Sequence, residues 1–406
     1  MSKRTEFASV SLDVGLGTEP QRAAEIEEKV FRILVVGDFS GKTAGSSAGP
    51  VLIDRDNIDE VLGGMGVKLA LGGGIVLPIR RMDDFHPDQI YERVEGFRKL
   101  GGQTVAAATP TGGSLLDSIV DAMEPEPEPA EPPASEDELK AFARRVVAPH
   151  LVPREDALAV ERKKQADVAA GKLMRAILHH ERFQALEAAW RGLQFLVDRL
   201  ETGEFLKVYC LDMAKAGLSR LPEVLRGDTW DLVAGNFTFD QSAEDIETLR
   251  SAGEAVGEAG ARFFAEASPN VGEASKAWGD FRQSREARSI CLALPRFLLR
   301  LPYGRDTYSI ESFAFEETPG VPVHEEYLWG NPAFALALLL GKGGEIDGLP
   351  LHVYEDKSGS QVKSCAEVEM TEDDVEWILD QGYIPLVWMR NEASVRVPRV
   401  RPVALG

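Results

Sequence analysis

FLKVYCLDM at residues 205–213 and WDLVAGNFTF at 230–239 decide the fold of this chain. Both are short apolar runs rich in β-branched and aromatic residues, which is typical of buried strands. AEDIETLRSAGEAVGEAGARF at 243–263 then has the spacing of a helix. Strands that alternate with helices predict a layered α/β fold with a mixed, largely parallel sheet. The alternation continues through LPLHVYE (349–355), DDVEWILDQG (373–382) and IPLVWMR (384–390).

A smaller α/β domain is predicted upstream, at residues 31–102. FRILVVGDFSGKT at 31–43 indicates a buried strand that enters a glycine loop. VKLAL (67–71) and IVLPIRRM (75–82) flank consecutive glycines, which is the pattern of a β-hairpin. Helices are predicted over 53–62, behind the polar pair Asp56 and Asn57, and over 83–100, with Asp84 as the cap.

The rest of the chain divides by composition. Residues 1–30 are expected to form an N-terminal arm, and 139–202 a helical segment that leads into the larger domain at 203–406. A flexible linker is expected at 103–138, because EPEPEPAEPPASEDE (124–138) alternates proline with glutamate and cannot form a core. Within that linker, SLLDSIVDAM at 114–123 has the apolar spacing of a short amphipathic helix.

The charge balance excludes several classes of function. Lys and Arg number 45 against 66 Asp and Glu, so the chain carries a formal charge of -21 and should be repelled by nucleic acids and anionic bilayers. It has no apolar run long enough to span a membrane and no leader-like N-terminus, which predicts a cytoplasmic protein. The three separated cysteines predict buried thiols and no redox or zinc site.

The segment GDFSGKT at 37–43 is close to a phosphate-binding loop. A strand that runs into Gly-Lys-Thr is how such loops begin, but the GxxxxGK[ST] spacing needs glycine at position 36, where Val36 stands. The residues that follow also have the composition of open loop, where a phosphate site needs a helix N-terminus. A tight strand-to-loop turn is the favoured interpretation, and nucleotide binding through Lys42 and Thr43 is the alternative.

No catalytic, metal or cofactor site emerges from the motifs. His179 and His180 are adjacent on a predicted helix, where their side chains diverge by about 100°, so they are poorly placed to share a metal. No HExxH pattern occurs, and GSSAG at 45–49 lies in a stretch with the composition of open loop, so no GxSxG nucleophile elbow is expected. We therefore expect no enzyme activity, no metal and no cofactor.

An arginine-containing run at 292–307, LALPRFLLRLPYGRDT, has two interpretations. Its arginines, Arg296, Arg300 and Arg305, could form a basic groove for an acidic partner. The favoured interpretation is a buried segment whose arginines pair with internal carboxylates, because Arg is suited to bidentate pairing. The candidate carboxylates are Glu311, Glu316 and Glu317.

Two blocks resemble the contractile sheath of the type VI secretion system. Residues 31–102 resemble its small subunit, the TssB or VipA family, and residues 114–390 resemble its large subunit, the TssC or VipB family. The small-subunit likeness rests on FRILVVGDFSGK, LIDRDNIDEVL and IRRMDDFHPDQIYERVEGFRKL. The large-subunit likeness rests on ILHHERFQALEAAWRGLQFLVDR, ALPRFLLRLPYGRDTYSIESFAFEE, HEEYLWGNPAFALA and IDGLPLHVYE.

The resemblance implies a structural polymer with several protein partners. Its subunits would assemble with one another around a tube of Hcp-like rings, on a baseplate, and drive the tube outward on contraction. It also implies that a short helix near the start of the large subunit is the handle of a ClpV-type AAA+ ATPase. SLLDSIVDAM occupies that place, and its implied apolar anchors are Leu115, Leu116, Ile119 and Val120. Docking of this helix on its own domain is the alternative.

The chain also departs from the family pattern. The small-subunit part is expected to stop near residue 102, and the large-subunit part, which ends at Gly406, is expected to be shortened at its C-terminus. These departures leave a second interpretation open, in which the protein is an accessory or adaptor of a full-length sheath and does not itself polymerise.

Overall fold

The computed structural model describes residues 30–42, 49–102, 154–270, 272–320, 323–343, 349–350, 354–355, 361–389 and 394–405. In chain order its N-terminal elements are β1 (Phe31–Gly37), β2 (Val51–Ile53), α1 (Ile58–Met65), β3 (Val67–Ala70), β4 (Val76–Ile79), α2 (Pro87–Arg93) and α3 (Glu95–Gly102). Two long helices follow, α4 (Arg154–Leu178) and α5 (Glu181–Arg199).

The larger part of the fold comprises β5 (Leu206–Asp212), α6 (Leu221–Leu225), β6 (Leu232–Phe239), α7 (Ala243–Glu258), β7 (Arg262–Ala267), α8 (Lys276–Arg282), β8 (Ile290–Leu294), β9 (Phe297–Arg300), β10 (Leu328–Gly330) and α9 (Pro332–Gly341). The last elements are β11 (Leu349–Pro350), β12 (Tyr354–Glu355), β13 (Gln361–Lys363), α10 (Glu372–Asp380), β14 (Ile384–Pro385), β15 (Val387–Trp388) and β16 (Ser394–Arg396). Short 3₁₀ turns occur at Met82–Phe85, Lys215–Arg220, Glu286–Ser289 and His324–Glu326.

A seven-stranded sheet organises the molecule, in the order β14-β8-β7-β6-β1-β5-β2. Every neighbouring pair in it is parallel except β2, which runs antiparallel to β5. The predicted α/β class with a mixed, largely parallel sheet is therefore confirmed. The central strands read as continuous apolar runs because helices cover both faces of the sheet.

Strand β1 shows how both faces are filled. Ile33 and Val35 belong to one hydrophobic cluster, which also contains α5 and α9, whereas Leu34 and Val36 belong to the cluster on the opposite face, beneath α7. All four side chains are fully buried. The alternation follows from the two-residue period of a strand, so a run of four aliphatic residues serves two cores at once.

The two predicted α/β units share this one sheet. Strand β1, from the N-terminal segment, lies between β5 and β6 and pairs with both, from Phe31 opposite Leu206 to Gly37 opposite Asp212. Edge strand β2 also comes from that segment. A self-contained small domain closing near residue 102 is thus not what the structure shows. Two strands of the segment complete the larger sheet, and only its hairpin and helices lie outside it.

The remainder of the N-terminal segment requires three corrections. Ile53 lies in strand β2, so the helix predicted over 53–62 is α1 at Ile58–Met65. The helix predicted over 83–100 is two helices, α2 and α3, separated at Val94. Strands β3 and β4 form the predicted antiparallel hairpin, and Gly72 and Gly74 in its turn have φ of 84° and 80°, which L-residues avoid. Asp84 does not cap the following helix. The cap of α2 is His86, whose Nδ1 accepts from the Asp88 backbone N–H, while buried Asp84 binds the guanidinium of Arg93 at 2.6 Å.

The predicted helical segment at 139–202 is a helix pair where the structure describes it. Helices α4 and α5 are separated at His179 and His180, and the ring of His180 caps α5 by accepting from the Arg182 backbone N–H. Helix α5 then packs closely on α9. A Cβ at Gly192 would lie 2.4 Å from the ring of Phe334, so this crossing requires glycine.

Candidate functional site: the join between the two segments

The predicted ATPase handle cannot be placed in this structure. Leu115, Leu116, Ile119 and Val120 lie outside the described residues, so their role stays a prediction. What the structure does describe is the contact between the segment at 31–102 and the rest of the chain. We call this contact the join.

The glycine loop after β1 lies at the centre of the join, and a carboxylate already occupies it. Asp212, the last residue of β5, accepts the backbone N–H groups of Phe39 and Ser40 through Oδ1, each at 2.9 Å. Asp38 accepts from the Gly41 N–H at 2.8 Å, and the Lys42 ammonium donates to the Met65 carbonyl at 3.3 Å. The amides that would cradle a phosphate are therefore paired within the protein.

This arrangement favours one of the two interpretations of the loop, a structural turn, over the other, a nucleotide-binding site. Burial raises the pKa of Asp38, and the nearby Asp212 carboxylate raises it further, whereas the Arg182 guanidinium lowers it. An incoming phosphate would meet carboxylates where it needs donors. The geometry favours the structural turn. Sequence reasoning missed Asp212, although an acidic residue at the end of a buried parallel strand is a usable signal.

Further polar contacts tie the segment to the body of the protein. Trp190 of α5, which is fully buried, donates its indole N–H to the Phe39 carbonyl at 2.8 Å. The Arg182 guanidinium donates to the Ala70 carbonyl at 2.9 Å. Asp88 accepts the Ser312 backbone N–H at 2.9 Å. These contacts lie in different parts of the segment, so it is anchored along its length.

A buried ion network lies beside the join. Arg300 of β9 is bound by two carboxylates, Glu187 of α5 at 2.8 Å and Glu317 at 2.8 Å. Glu187 also binds Arg191 at 2.6 Å, and Arg191 donates to the Tyr303 hydroxyl at 3.0 Å. Buried charges are tolerated only when they are paired in this way. The network fastens α5 to β9 and to the loops that follow it.

The electrostatics of the network follow from burial and pairing. Burial alone would raise the pKa of Glu317, but the Arg300 guanidinium and further hydrogen bonds lower it to about 2. The two carboxylates likewise hold the pKa of Arg300 well above its ordinary value, against the effect of burial. Glu317 and Arg300 are therefore ionised at neutral pH.

The favoured interpretation of the arginine run is confirmed for Arg300, which pairs with the predicted Glu317. Arg296 is also paired, but with Glu367, a carboxylate the sequence pattern did not suggest, with Nε to Oε2 at 2.9 Å. The prediction that Arg305 is buried is wrong, because its side chain is 80% exposed. Among the described residues, these three arginines therefore do not line a basic groove.

Glu266 in β7 is a second carboxylate with a strongly shifted pKa. It is buried, and burial raises its pKa to about 7, although the charge of Arg296 opposes the shift. The Arg296 Nε lies 3.9 Å from it, too far for a hydrogen bond. Its Oε2 accepts from the Asn331 amide at 3.4 Å, a weak contact. Glu266 can therefore take up a proton near neutral pH.

Two clefts open beside these features. One, of about 490 Å³, is lined by Asp59 and Asp198 and by the arginines Arg191 and Arg199, so its charges balance. The other, of about 580 Å³, lies between the glycine loop and edge strand β2. Among the residues that the structure describes, no group of three or more His, Cys, Asp or Glu side chains could hold a metal.

No helix in the described part of the chain is long and apolar enough to cross a membrane. Edge strand β2 instead presents apolar side chains to solvent, with Val51 at 40% and Leu52 at 44% exposure. An exposed apolar edge strand is a surface on which another chain can add a strand.

Comparison with known proteins agrees with this architecture. The model of the VipB family, described as EvpB/VC_A0108, tail sheath N-terminal domain, matches residues 162–231 and 224–397, which is more than half of the chain. The chain therefore belongs to the tail sheath proteins. A second model, described as Type VI secretion system, VipA, VC_A0107 or Hcp2, matches residues 11–102. The chain is thus a fusion of a VipA (TssB) segment with a VipB (TssC) segment of the type VI secretion sheath.

A curated relative points the same way. The chain is 31% identical over 274 residues to the type VI secretion system sheath protein TssC1 of Pseudomonas aeruginosa. The match covers 53% of this chain and 55% of the relative, so the chain spans about half the length of the protein it resembles. The resemblance noted from the sequence is confirmed at the level of the family.

Proposed function

We propose that this chain is a structural subunit of a type VI contractile sheath that works in the cytoplasm. In this proposal the small-subunit and large-subunit segments act as one preassembled unit, which packs with other sheath subunits around a tube of Hcp-like rings. Contraction of that assembly, on a baseplate, would power or support ejection of the tube. The protein has no catalytic role in the proposal.

The position of β1 carries the proposal. In a sheath built from two separate chains, a strand of the small subunit inserted between two strands of the large one would require both to fold together. Here β1 is buried between β5 and β6, and a single polypeptide fixes the ratio of the two segments at one to one. Fusion also raises the effective concentration of each segment near the other, because the linker holds them together. The entropy cost of closing a linker of n residues grows only as (3/2)RT ln n, so even a long linker allows the two segments to meet.

Electron microscopy tests the proposal directly. The purified chain, alone and mixed with full-length sheath subunits and tube protein, is expected to form rings or tubules in negative stain. Particles that form only in the mixture, with this chain inside them, would favour the accessory interpretation. Isolated molecules under every condition would exclude any role in the sheath wall.

A strand-exchange surface is part of the same proposal. Strand β2 is at the edge of the sheet and its exposed Val51 and Leu52 would be covered by a neighbouring subunit. Val51→Lys and Leu52→Lys leave the strand's buried residue Ile53 in place. They should shorten or abolish polymers while the unfolding midpoint changes little. The control is Val76→Lys, an exposed residue of the β4 hairpin strand.

The ATPase handle remains a proposal from the sequence. A ClpV-type ATPase should bind the chain through Leu115, Leu116, Ile119 and Val120. The double variant Leu116→Asp/Ile119→Asp should lose that binding, whereas Ser118→Asp on the same predicted helix should keep it. Equal binding by all three proteins would refute the handle.

The absence of a nucleotide function is tested separately. The Asp212 contacts to Phe39 and Ser40 support a structural loop. Equilibrium dialysis with labelled ATP and GTP at millimolar concentration should show no saturable binding, and saturable binding lost in Lys42→Ala would contradict the proposal.

A further inference from the structure

Arg282, the last residue of α8, is a buried arginine without an acidic partner. It is only 7% exposed, and its Nε donates to the Val403 carbonyl at 2.9 Å. Within the described part of the chain, its guanidinium forms no ion pair with an Asp or Glu side chain. A neutral carbonyl compensates a buried positive charge only in part.

The Arg300 network shows how this fold accommodates a buried guanidinium elsewhere. Arg300 is 6% exposed, about as buried as Arg282, and two carboxylates bind it, Glu187 and Glu317. Burial of a charge is strongly unfavourable unless a counter-ion accompanies it. Arg282 therefore lacks the counter-ion that its burial requires, and the described residues do not supply one.

A second arginine lies beside Arg282. Residues 397–405, which we call the strap, follow β16 and lie against α8, where the Leu405 N–H donates to the Arg282 carbonyl at 2.9 Å. Arg401 of the strap is half-buried, and its Nε is enclosed by protein without a hydrogen-bond partner. In the residues that the structure describes, Arg401 has no ion pair either.

The two guanidinium groups repel each other. Burial lowers the pKa of Arg282 and the positive charge of Arg401 lowers it further, whereas the Tyr383 hydroxyl and the exposed Asp380 carboxylate act in the opposite direction. The strap is nevertheless held in place by its hydrogen bonds to α8. An anion between the two arginines would supply the missing counter-ion and remove the repulsion.

The free edge of the Arg282 guanidinium is accessible from solvent. Gly382, at φ 90°, leaves room for the group, because a Cβ there would lie 3.0 Å from both Nε and Nη2. Nε is used by Val403, but the two Nη groups donate to no residue that the structure describes, and neither is enclosed. The guanidinium fork has the spacing that matches the oxygens of a carboxylate or phosphate group.

We propose that Arg282 and Arg401 form a binding site for one small oxyanion, a carboxylate or a phosphate group, which links α8 to the strap. Charge-assisted hydrogen bonds from guanidinium groups are well suited to hold such an anion. The occupant is compact, because Arg282 is almost fully buried and the formal charge of -21 repels polyanions. The site goes beyond the proposed sheath function and does not depend on it.

Inorganic phosphate and acetate test the site in the full-length chain, with chloride at equal ionic strength as the reference. At least one of the two anions should raise the melting temperature of the native chain saturably, because a ligand that binds only the folded state stabilises it. Arg401→Gln should abolish that rise and weaken binding of the anion in titration calorimetry by about tenfold or more, since charge-assisted hydrogen bonds are lost. The anion should also slow hydrogen exchange at the Val403 and Leu405 amides of the native chain, and not in the variant.

Arg399→Gln is the matched control. Arg399 is an exposed residue of the same strap, and the change removes the same charge two positions from Arg401. This variant should respond to the anions like the native chain. Arg282 itself is left unchanged, because its Nε also holds the Val403 carbonyl and its loss would disturb the strap by a second route.

The site is overturned if neither anion acts beyond chloride, if Arg401→Gln binds as tightly as the native chain, or if Arg399→Gln loses as much binding as Arg401→Gln. Sedimentation velocity with and without phosphate then identifies the source of the oxyanion, and either result supports the site. Association that phosphate leaves unchanged indicates a free anion. Association that phosphate weakens, and that Arg401→Gln lacks, indicates an acidic side chain of a second copy.

Discussion

Trp190 and Phe39 join the two segments through one ring contact and one hydrogen bond. Their ring centroids are 5.4 Å apart at 69°, and the Trp190 indole N–H donates to the Phe39 carbonyl at 2.8 Å. Both side chains are fully buried. One residue comes from the VipA-like segment and the other from the VipB-like segment, so this pair fixes the glycine loop against α5.

Replacing Trp190 by Phe should weaken the join. The variant keeps an aromatic ring but leaves the buried Phe39 carbonyl without its donor and opens a small cavity, so unfolding free energy should fall by about 2 kcal/mol. Urea denaturation followed by circular dichroism measures the change. Trp377→Phe is the matched control, because Trp377 is 39% exposed, and it should stay within about 0.5 kcal/mol of native. Equal effects at both positions would contradict the assigned role of the join.

Asp212 should stabilise the glycine loop as a hydrogen-bond acceptor, and its negative charge should not be required. Asp212→Ala leaves the N–H groups of Phe39 and Ser40 unpaired in a buried loop, at a cost of about 1–3 kcal/mol for each unsatisfied group. Asp212→Asn keeps a side-chain oxygen that can accept both and should be clearly more stable than the alanine variant. Denaturation of the three proteins in parallel decides the point, and identical losses in both variants would show that the hydrogen bonds are not what matters.

Arg300→Met should be among the most destabilising single changes in the network. It leaves Glu187 and Glu317 buried without their shared partner, which typically costs about 3–5 kcal/mol. Arg305→Met is its control, since that side chain is 80% exposed and should change stability by less than about 0.5 kcal/mol. An Arg300 variant as stable as the control would mean that water replaces the guanidinium at no cost.

Low pH should weaken the ion network around Arg300, because Glu317 becomes protonated. Its folded pKa of about 2 lies below the ordinary 4.5, so the unfolded chain binds the proton first and stability falls as pH drops from about 4.5 towards 2. The full contribution, about 3 kcal/mol, is present above pH 4.5. Glu317→Gln should flatten this part of the stability profile. A profile as steep in the variant as in the native chain would assign the acid loss to other groups.

Glu266 should make the folding stability fall as pH rises towards neutral, whereas Glu317 makes it fall as pH drops. Its folded pKa of about 7 lies above the ordinary 4.5, so the folded state keeps its proton while the unfolded state has lost it. Stability should therefore fall as pH rises from about 4.5 to 7, by about 3 kcal/mol in total. Glu266→Gln should remove that slope and be more stable than native at pH 8. The exposed Glu254→Gln should leave the profile unchanged.

Much of the fold could be predicted from local pattern. The strands at 31–37, 206–212 and 232–239, the β3–β4 hairpin and helix α10 all lie where periodicity and turn residues indicated, because these signals arise within a few residues of chain. Capping was harder. His86 caps α2 where Asp84 was expected, since Asp84 is drawn to Arg93 nine residues away.

The ion pairs were also only partly predictable from the sequence. The run around Arg300 suggested internal ion pairs because an arginine among aliphatic residues needs a carboxylate, and Glu317 lies close in sequence. Glu187 and Glu367 were not foreseen, because they lie 113 and 71 residues from the arginines they bind. No local periodicity carries information over such separations.

The sequence by itself determined the family, the alternation of strands and helices, the acidic charge and the failure of the glycine loop to match a phosphate site. Tertiary structure alone decided that β1 lies between β5 and β6, that Asp212 fills the loop, and that Glu187 pairs with Arg300. The physical reason is the distance along the chain over which each interaction acts. Helix and strand periodicity is set by neighbouring residues, whereas strand order and charge pairing are set by which distant surfaces can be buried together.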